Sequence, residues 1–189
     1  MAQDPRLTGC LSFCAKLIAL APVCLVVWWL ALPSYAWIVG RVSRLALTHA
    51  AGYPIDHVVV HPGGILNTNT TLGFALGDRT PSAPVANIMS NTAVFIALVL
   101  STANLEWKRR AISLAAGAFI LFATHVAYAV IWFTFAPAIE RDPQIPMAIG
   151  QLFVTLPFVL WIATAYWRNA IRLFRKPGTY DADPHRTEN

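Results

Sequence analysis

Residues 84–137 read PVANIMSNTAVFIALVLSTANLEWKRRAISLAAGAFILFATHVAYAVIWFTFAP. Two apolar runs, Val85 to Ala103 and Ala111 to Ala136, flank the polar connector Asn104 to Arg110. About 20 apolar residues in a helix cross a bilayer core, so each run is long enough to span. The connector carries Lys108, Arg109 and Arg110, and short cationic loops stay on the cytoplasmic side. The stretch therefore predicts a helical hairpin with its turn in the cytoplasm, and that orients the rest of the chain.

Composition agrees with a membrane setting. Hydrophobic residues make up 57% of the chain and charged residues 12%, outside the range of ordinary soluble domains. The net charge of +5 is topological and does not point to nucleic acid. Of the 14 Lys and Arg, ten fall beside apolar runs on one predicted side: Arg6, Lys16, Lys108 to Arg110, Arg168, Arg172, Arg175, Lys176 and Arg186. Arg41, Arg44, Arg79 and Arg141 fall on the other. This bias predicts both termini inside. Cys10, Cys14 and Cys24 all precede or enter the first apolar run, so no disulfide framework is indicated.

In chain order, residues 1–16 form a cytoplasmic N-terminus and 17–36 a first transmembrane helix. This helix is read as an uncleaved anchor, although Ser34-Tyr35-Ala36 offers a plausible cleavage spacing. Trp28, Trp29, Tyr35 and Trp37 form an aromatic belt, and Pro33 is expected to kink or end the helix. Residues 37–84 form an extracytoplasmic cap. Within it, 37–51 reads as an amphipathic helix lying at the interface, with Val39, Val42, Leu45, Ala46 and His49 on one face. The runs His57 to His61, Gly64 to Leu66 and Thr70 to Leu76 read as short strands, and Gly77 to Pro84 as a returning loop. Residues 85–103 are the second span, 104–110 the cytoplasmic loop and 111–136 the third span. An outer loop (137–146), a fourth span (147–167) and a cytoplasmic tail (168–189) complete the chain. The predicted fold class is an all-α membrane protein of four transmembrane helices with a small cap of amphipathic helix and short β-strands.

Polar side chains inside spans are costly and are functional candidates by default. Asn87 and Asn91 are four apart on the second helix, His125 lies on the third and Gln151 on the fourth. At about 1.5 Å per residue all stand in the outer half of the bilayer. This candidate intramembrane cluster reads first as interhelical hydrogen bonding. The catalytic alternative pairs Ser90 as nucleophile with His125 as base; the other nearby hydroxyls are Thr92, Thr124 and Tyr128. His49, His57 and His61 with Asp56 form a conceivable metal set, but the reading is solvated histidines, with no metal and no cofactor expected. Asn69-Thr70-Thr71 fits a glycosylation sequon. The sequence carries no phosphate-binding loop, no dinucleotide fingerprint and no CxxC.

The order of anchor, outer helix with β patch, tight helical hairpin and last helix resembles the exosortase and archaeosortase group of bacterial membrane proteins, over Trp28 to Trp167. That group is thought to use a Cys, Arg and His triad. Here Met89-Ser-Asn-Thr92 stands on the second helix without a Cys, and Thr124-His-Val-Ala-Tyr128 on the third without an Arg, so the triad is not carried over. Ile149-Gly-Gln151, Leu156-Pro157 and Trp161 of the last helix, with Trp28-Trp29, are similar to the exosortase H-associated membrane proteins. The resemblance implies a catalytically degenerate relative in the bacterial inner membrane. Its implied role is a non-enzymatic accessory or scaffold of an envelope protein-sorting or export system, with the lipid bilayer and another membrane protein such as an exosortase as partners. A divergent membrane peptidase or a small transporter subunit is the alternative.

Overall fold

The structure is a computed structural model that describes residues 5–103, 105–141 and 144–174. The elements in order are α1 (Pro5–Ala50), β1 (Val58–His61), a 3-10 turn (Ile65–Asn67), β2 (Thr71–Phe74), β3 (Ser82–Pro84), α2 (Ala86–Met89), α3 (Asn91–Ser101), α4 (Trp107–Arg141) and α5 (Gln144–Phe174). The chain is mostly helical, and α1, α4 and α5 are long and apolar enough to cross a membrane.

The expected second span takes another form. It is a short apolar helix over Ala86–Ser101, stepped at Ser90 into α2 and α3. Sixteen residues rise about 24 Å, less than the roughly 30 Å of a bilayer core. α3 is apolar nearly all round because it is enclosed: Ala93, Phe95, Ala97, Leu98 and Val99 are buried, mostly against α1 and α5. Its last turn is finished by side chains. Thr102 Oγ1 donates to the Leu98 carbonyl at 2.8 Å, and Arg110 Nη2 donates to the Thr102 carbonyl at 2.9 Å, a cation at the negative end of the helix.

α1 also departs from expectation. It does not end at Pro33, and no separate interfacial helix begins at Trp37; one helix of 46 residues contains both Pro22 and Pro33. Its buried stripe is Leu32, Ala36, Val39, Ser43 and Leu47, whereas Val42 and Leu45 are exposed. The reason is the sheet, which lies about a quarter turn around α1 from the expected face, so that Val39 belongs to both faces and Val42 and Leu45 to the expected one alone. A Cβ on Gly40 would collide with Val58 and Leu72, so glycine is what lets β1 and β2 seat on α1.

The sheet is antiparallel in the order β1-β2-β3, with Val58 opposite Phe74 and Leu72 opposite Ala83. Gly64 to Leu66, expected as a strand, leads into the 3-10 turn, where Leu66 and Asn67 adopt φ of 55° and 65°. The expected loop before Pro84 instead supplies β3. Phe74 meets Phe133 of α4 edge-on, and so does Tyr53, so α1 and α4 hold the sheet between them at one end of the bundle. At the other end Phe13 stacks on Trp161 at 5.5 Å and Trp161 Nε1 donates to Thr102 Oγ1 at 2.9 Å. The expected outer loop 137–146 shrinks, because α4 runs to Arg141 and α5 starts at Gln144. Asp142 and the tail after Phe174 lie outside the described residues.

α4 meets α3 through Gly117, where a Cβ would overlap the Phe95 ring. Helix propensity alone favours Gly117→Ala by about 0.5–1 kcal/mol, while overpacking costs about 1–3 kcal/mol. The expected outcome is a lowered thermal midpoint in detergent, and a raised one would mean that the Phe95 ring moves aside freely.

Candidate functional site

His125 of α4 is fully buried and stands among four helices. Its Nε2 lies 3.0 Å from Asn91 Oδ1 of α3, and its Nδ1 lies 2.8 Å from the Tyr35 hydroxyl of α1. Asn91 Nδ2 in turn donates to the Phe153 carbonyl of α5 at 3.4 Å. That carbonyl fixes the direction of the chain. It can only accept, so the nitrogen of the Asn91 amide faces it and the oxygen faces His125. His125 therefore carries its proton on Nε2 and donates to Asn91, which leaves Nδ1 to accept from Tyr35. The run Tyr35 to His125 to Asn91 to the Phe153 carbonyl is satisfied at every joint by a neutral imidazole. Phe153 also stacks on the imidazole at a centroid distance of 5.8 Å, and Tyr35 meets it edge-on.

The backbone explains why an acceptor waits on α5. Proline inside a helix removes the N–H that would reach the carbonyl four residues earlier, and Pro157 thereby frees the Phe153 carbonyl. The same device recurs on α1. Pro33 frees the Trp29 carbonyl, and Asn67 Nδ2 from the 3-10 turn donates to it at 3.1 Å. Each of these two prolines is matched by an asparagine amide from another element, which is how proline is tolerated in apolar surroundings.

Of the four residues expected to cluster, the structure joins Asn91 and His125. Gln151 is exposed: it sits two residues from Phe153, about 200° around the helix at 3.6 residues per turn, and so points away. Asn87 is also exposed and stands on the rim of a groove. The unforeseen partner is Tyr35, which sequence reasoning placed in an aromatic belt. Its spacing from Leu32, Ala36 and Val39 puts it on the buried face of α1 and could have flagged it.

Ser90 is not paired with His125. Its hydroxyl donates to the Ala86 carbonyl at 2.7 Å and accepts from Trp29 Nε1 at 3.1 Å, while both imidazole nitrogens are occupied. Thr124 and Tyr128 are likewise turned to backbone carbonyls, those of Leu121 and Pro84. His49, His57 and His61 are exposed, and Asp56 Oδ2 accepts from the Gly77 amide. Among the described residues no three His, Cys, Asp or Glu side chains come together as metal ligands.

Beside the network a groove of about 410 Å³ opens on the flank of the bundle between α2/α3 and α5. Phe153, Val154 and Phe158 wall it, with Asn87, Ser90 and Gly150 among its small and polar lining. A Cβ added to Gly150 would meet nothing within 4 Å. No protein-family model matches the chain, and no curated protein or solved structure does either.

Proposed function

We propose that the chain is a non-enzymatic accessory or scaffold protein of an envelope protein-sorting or export system, seated in a bacterial inner membrane with both termini cytoplasmic. Its partner is another membrane protein, of the exosortase kind that the sequence resembles. The observation that carries the non-enzymatic reading is the closed network at His125. The imidazole spends both nitrogens on tying α1, α3 and α4 together, and Asn91 extends the tie to α5. Such a histidine is a fastener: the hydroxyl set against it is that of Tyr35, which donates to Nδ1, while the Ser90 hydroxyl is bonded to Ala86 and Trp29.

The groove on α5 is the docking place in this reading, and a transmembrane helix of the partner is its occupant. Small residues let helix backbones approach closely, and polar side chains bond across helix contacts in a bilayer. Gly150, Ser90 and Asn87 between apolar walls supply both features on the flank that faces lipid.

Gly150→Trp tests the reading. A Cβ at Gly150 meets nothing within 4 Å and the position borders the open groove, so the abundance and thermal midpoint of the protein should stay within the about 0.5 kcal/mol typical of surface changes. Co-purification with a co-expressed exosortase should be lost, together with sorting of its substrates. A stable Gly150→Trp variant that keeps both partner and sorting would remove the groove from the mechanism.

A further inference from the structure

The β1–β2 hairpin extends along α1 toward its N-terminal half. Val58 is seated at Gly40, and Asn67 at the far end bonds the Trp29 carbonyl. Eleven helical residues separate those contacts, roughly 17 Å along α1. Trp29 lies at the middle of the uncharged part of that helix, 13 residues after Lys16 and 12 before Arg41. At about 1.5 Å per residue, some 18–20 Å of uncharged helix lies on each side of it. A bilayer core of roughly 30 Å placed anywhere on this run still encloses Trp29 well below the surface. The proline-freed carbonyl thus draws the hairpin tip down to membrane depth.

The tip is built for that depth. Its backbone bonds close internally: the Thr68 amide donates to the Ile65 carbonyl, Asn69 to Gly63 and Thr70 to Asn67. The Thr70 hydroxyl adds a second bond to the Asn67 carbonyl at 2.7 Å. Thr68 and Asn69 lie over Gly64 so closely that a side chain there would strike them. Two aliphatic side chains project from it, Ile65 at 85% and Leu66 at 39% exposure, beside the exposed Asn69. Leu66 also holds a left-handed φ of 55°, a region that side chains other than Gly, Asn and Asp avoid. In water such a turn would strain the backbone in order to display two aliphatic side chains, whereas in hydrocarbon that display is favourable.

We infer that the tip of the β1–β2 hairpin, Ile65 and Leu66, is immersed in the leaflet on the sheet's side, with lipid acyl chains as its ligand. The inference rests on the reading that α1, α4 and α5 span the membrane, and the experiment separates the two.

Single cysteines at Ile65, Phe119 and Asp78, in a background with Cys10, Cys14 and Cys24 replaced by serine, carry an environment-sensitive fluorophore in vesicles of phosphatidylcholine and phosphatidylglycerol. Phe119 projects from α4 and reports on the span, and Asp78 reports on the exposed turn between β2 and β3. The Ile65 probe should behave like the Phe119 probe: blue-shifted emission, strong quenching by lipids brominated on the acyl chain and little by aqueous iodide. The Asp78 probe should show the reverse. Asn67→Ala, which releases the anchor on Trp29, should move the Ile65 probe toward iodide access. An Ile65 probe open to iodide while Phe119 is quenched by brominated lipid overturns the inference and leaves the spans standing. An Ile65 probe reached by neither quencher means that protein covers the tip, which also overturns it. A Phe119 probe open to iodide takes down both readings.

Discussion

Replacing His125 by leucine is expected to lower the thermal midpoint of the detergent-solubilised protein by roughly 2–16 °C, from two lost contacts of about 0.6–2 kcal/mol each and about 2–4 °C per kcal/mol for a chain of this length. Leucine fills much of the same volume but leaves the Tyr35 hydroxyl without its acceptor and the Asn91 oxygen with only the longer bond from Thr92 Oγ1 at 3.5 Å. Glutamine offers both: its carbonyl can accept from Tyr35 and its amide can donate to Asn91. His125→Gln should therefore keep most of the stability that His125→Leu loses. In the scaffold reading, sorting or secretion follows the amount of folded protein across the two variants. A catalytic histidine gives another pattern, because neither replacement can shuttle a proton at neutral pH. A His125→Gln protein that is stable, abundant and inactive would overturn the scaffold reading. The assay is an immunoblot and a thermal melt of each variant beside a sorting measurement.

The large features of the fold were legible because they follow from length and hydropathy. The runs over 17–36, 111–136 and 147–167 lie in α1, α4 and α5, and the β-prone segments around Val58–His61 and Thr71–Phe74 became strands. Two errors had a shared cause. Pro33 and the apolar-polar alternation after Trp37 suggested a break, but a helix can run through a proline when another group donates to the carbonyl it frees. Asn67, far along the chain, does so here, and local sequence cannot announce a donor that arrives from another element. The run from Val85 to Ala103 was long enough to span on paper; Ser90, Ser101 and Thr102, hydroxyls bonded back to their own helix, mark where it steps and stops.

The site was half legible. Asn91 and His125 share a depth, and depth can be read from helical rise. Azimuth is harder. Gln151 shares that depth but faces outward because Phe153, Pro157 and Leu160 set the inward stripe of α5. The acceptor on that helix proved to be a backbone carbonyl, which no side-chain inventory contains. Any proline within a helix nevertheless marks such a carbonyl four residues earlier, and Pro157 pointed to Phe153 all along.

That link yields the second large effect. Asn91→Ala removes the acceptor of His125 Nε2–H and the side-chain donor to the Phe153 carbonyl, each in a buried apolar setting. Stranding a buried polar group costs about 1–3 kcal/mol, so the variant should lose roughly 2–6 kcal/mol in total. Pro157→Ala changes one of the two debts. Alanine restores the backbone N–H at position 157, α5 can bond its own Phe153 carbonyl, and Asn91 is no longer needed there. The loss on Asn91→Ala should consequently be smaller in the Pro157→Ala background than in the parent. At 3.4 Å the Asn91 bond is longer than the usual N–H···O range, which places the coupling at the lower end of a hydrogen bond's net worth, about 0.5–1 kcal/mol. The measurement is a double-mutant cycle from reversible unfolding in mixed micelles. Independent sites add to within about 0.3–0.5 kcal/mol, so additivity inside that margin would mean that the freed carbonyl and the asparagine do not meet. Coupling of the expected sign, absent when Pro33→Ala is substituted for Pro157→Ala, would tie Asn91 to this one carbonyl. Proline, asparagine, histidine and tyrosine would then be parts of one fastener joining four helices.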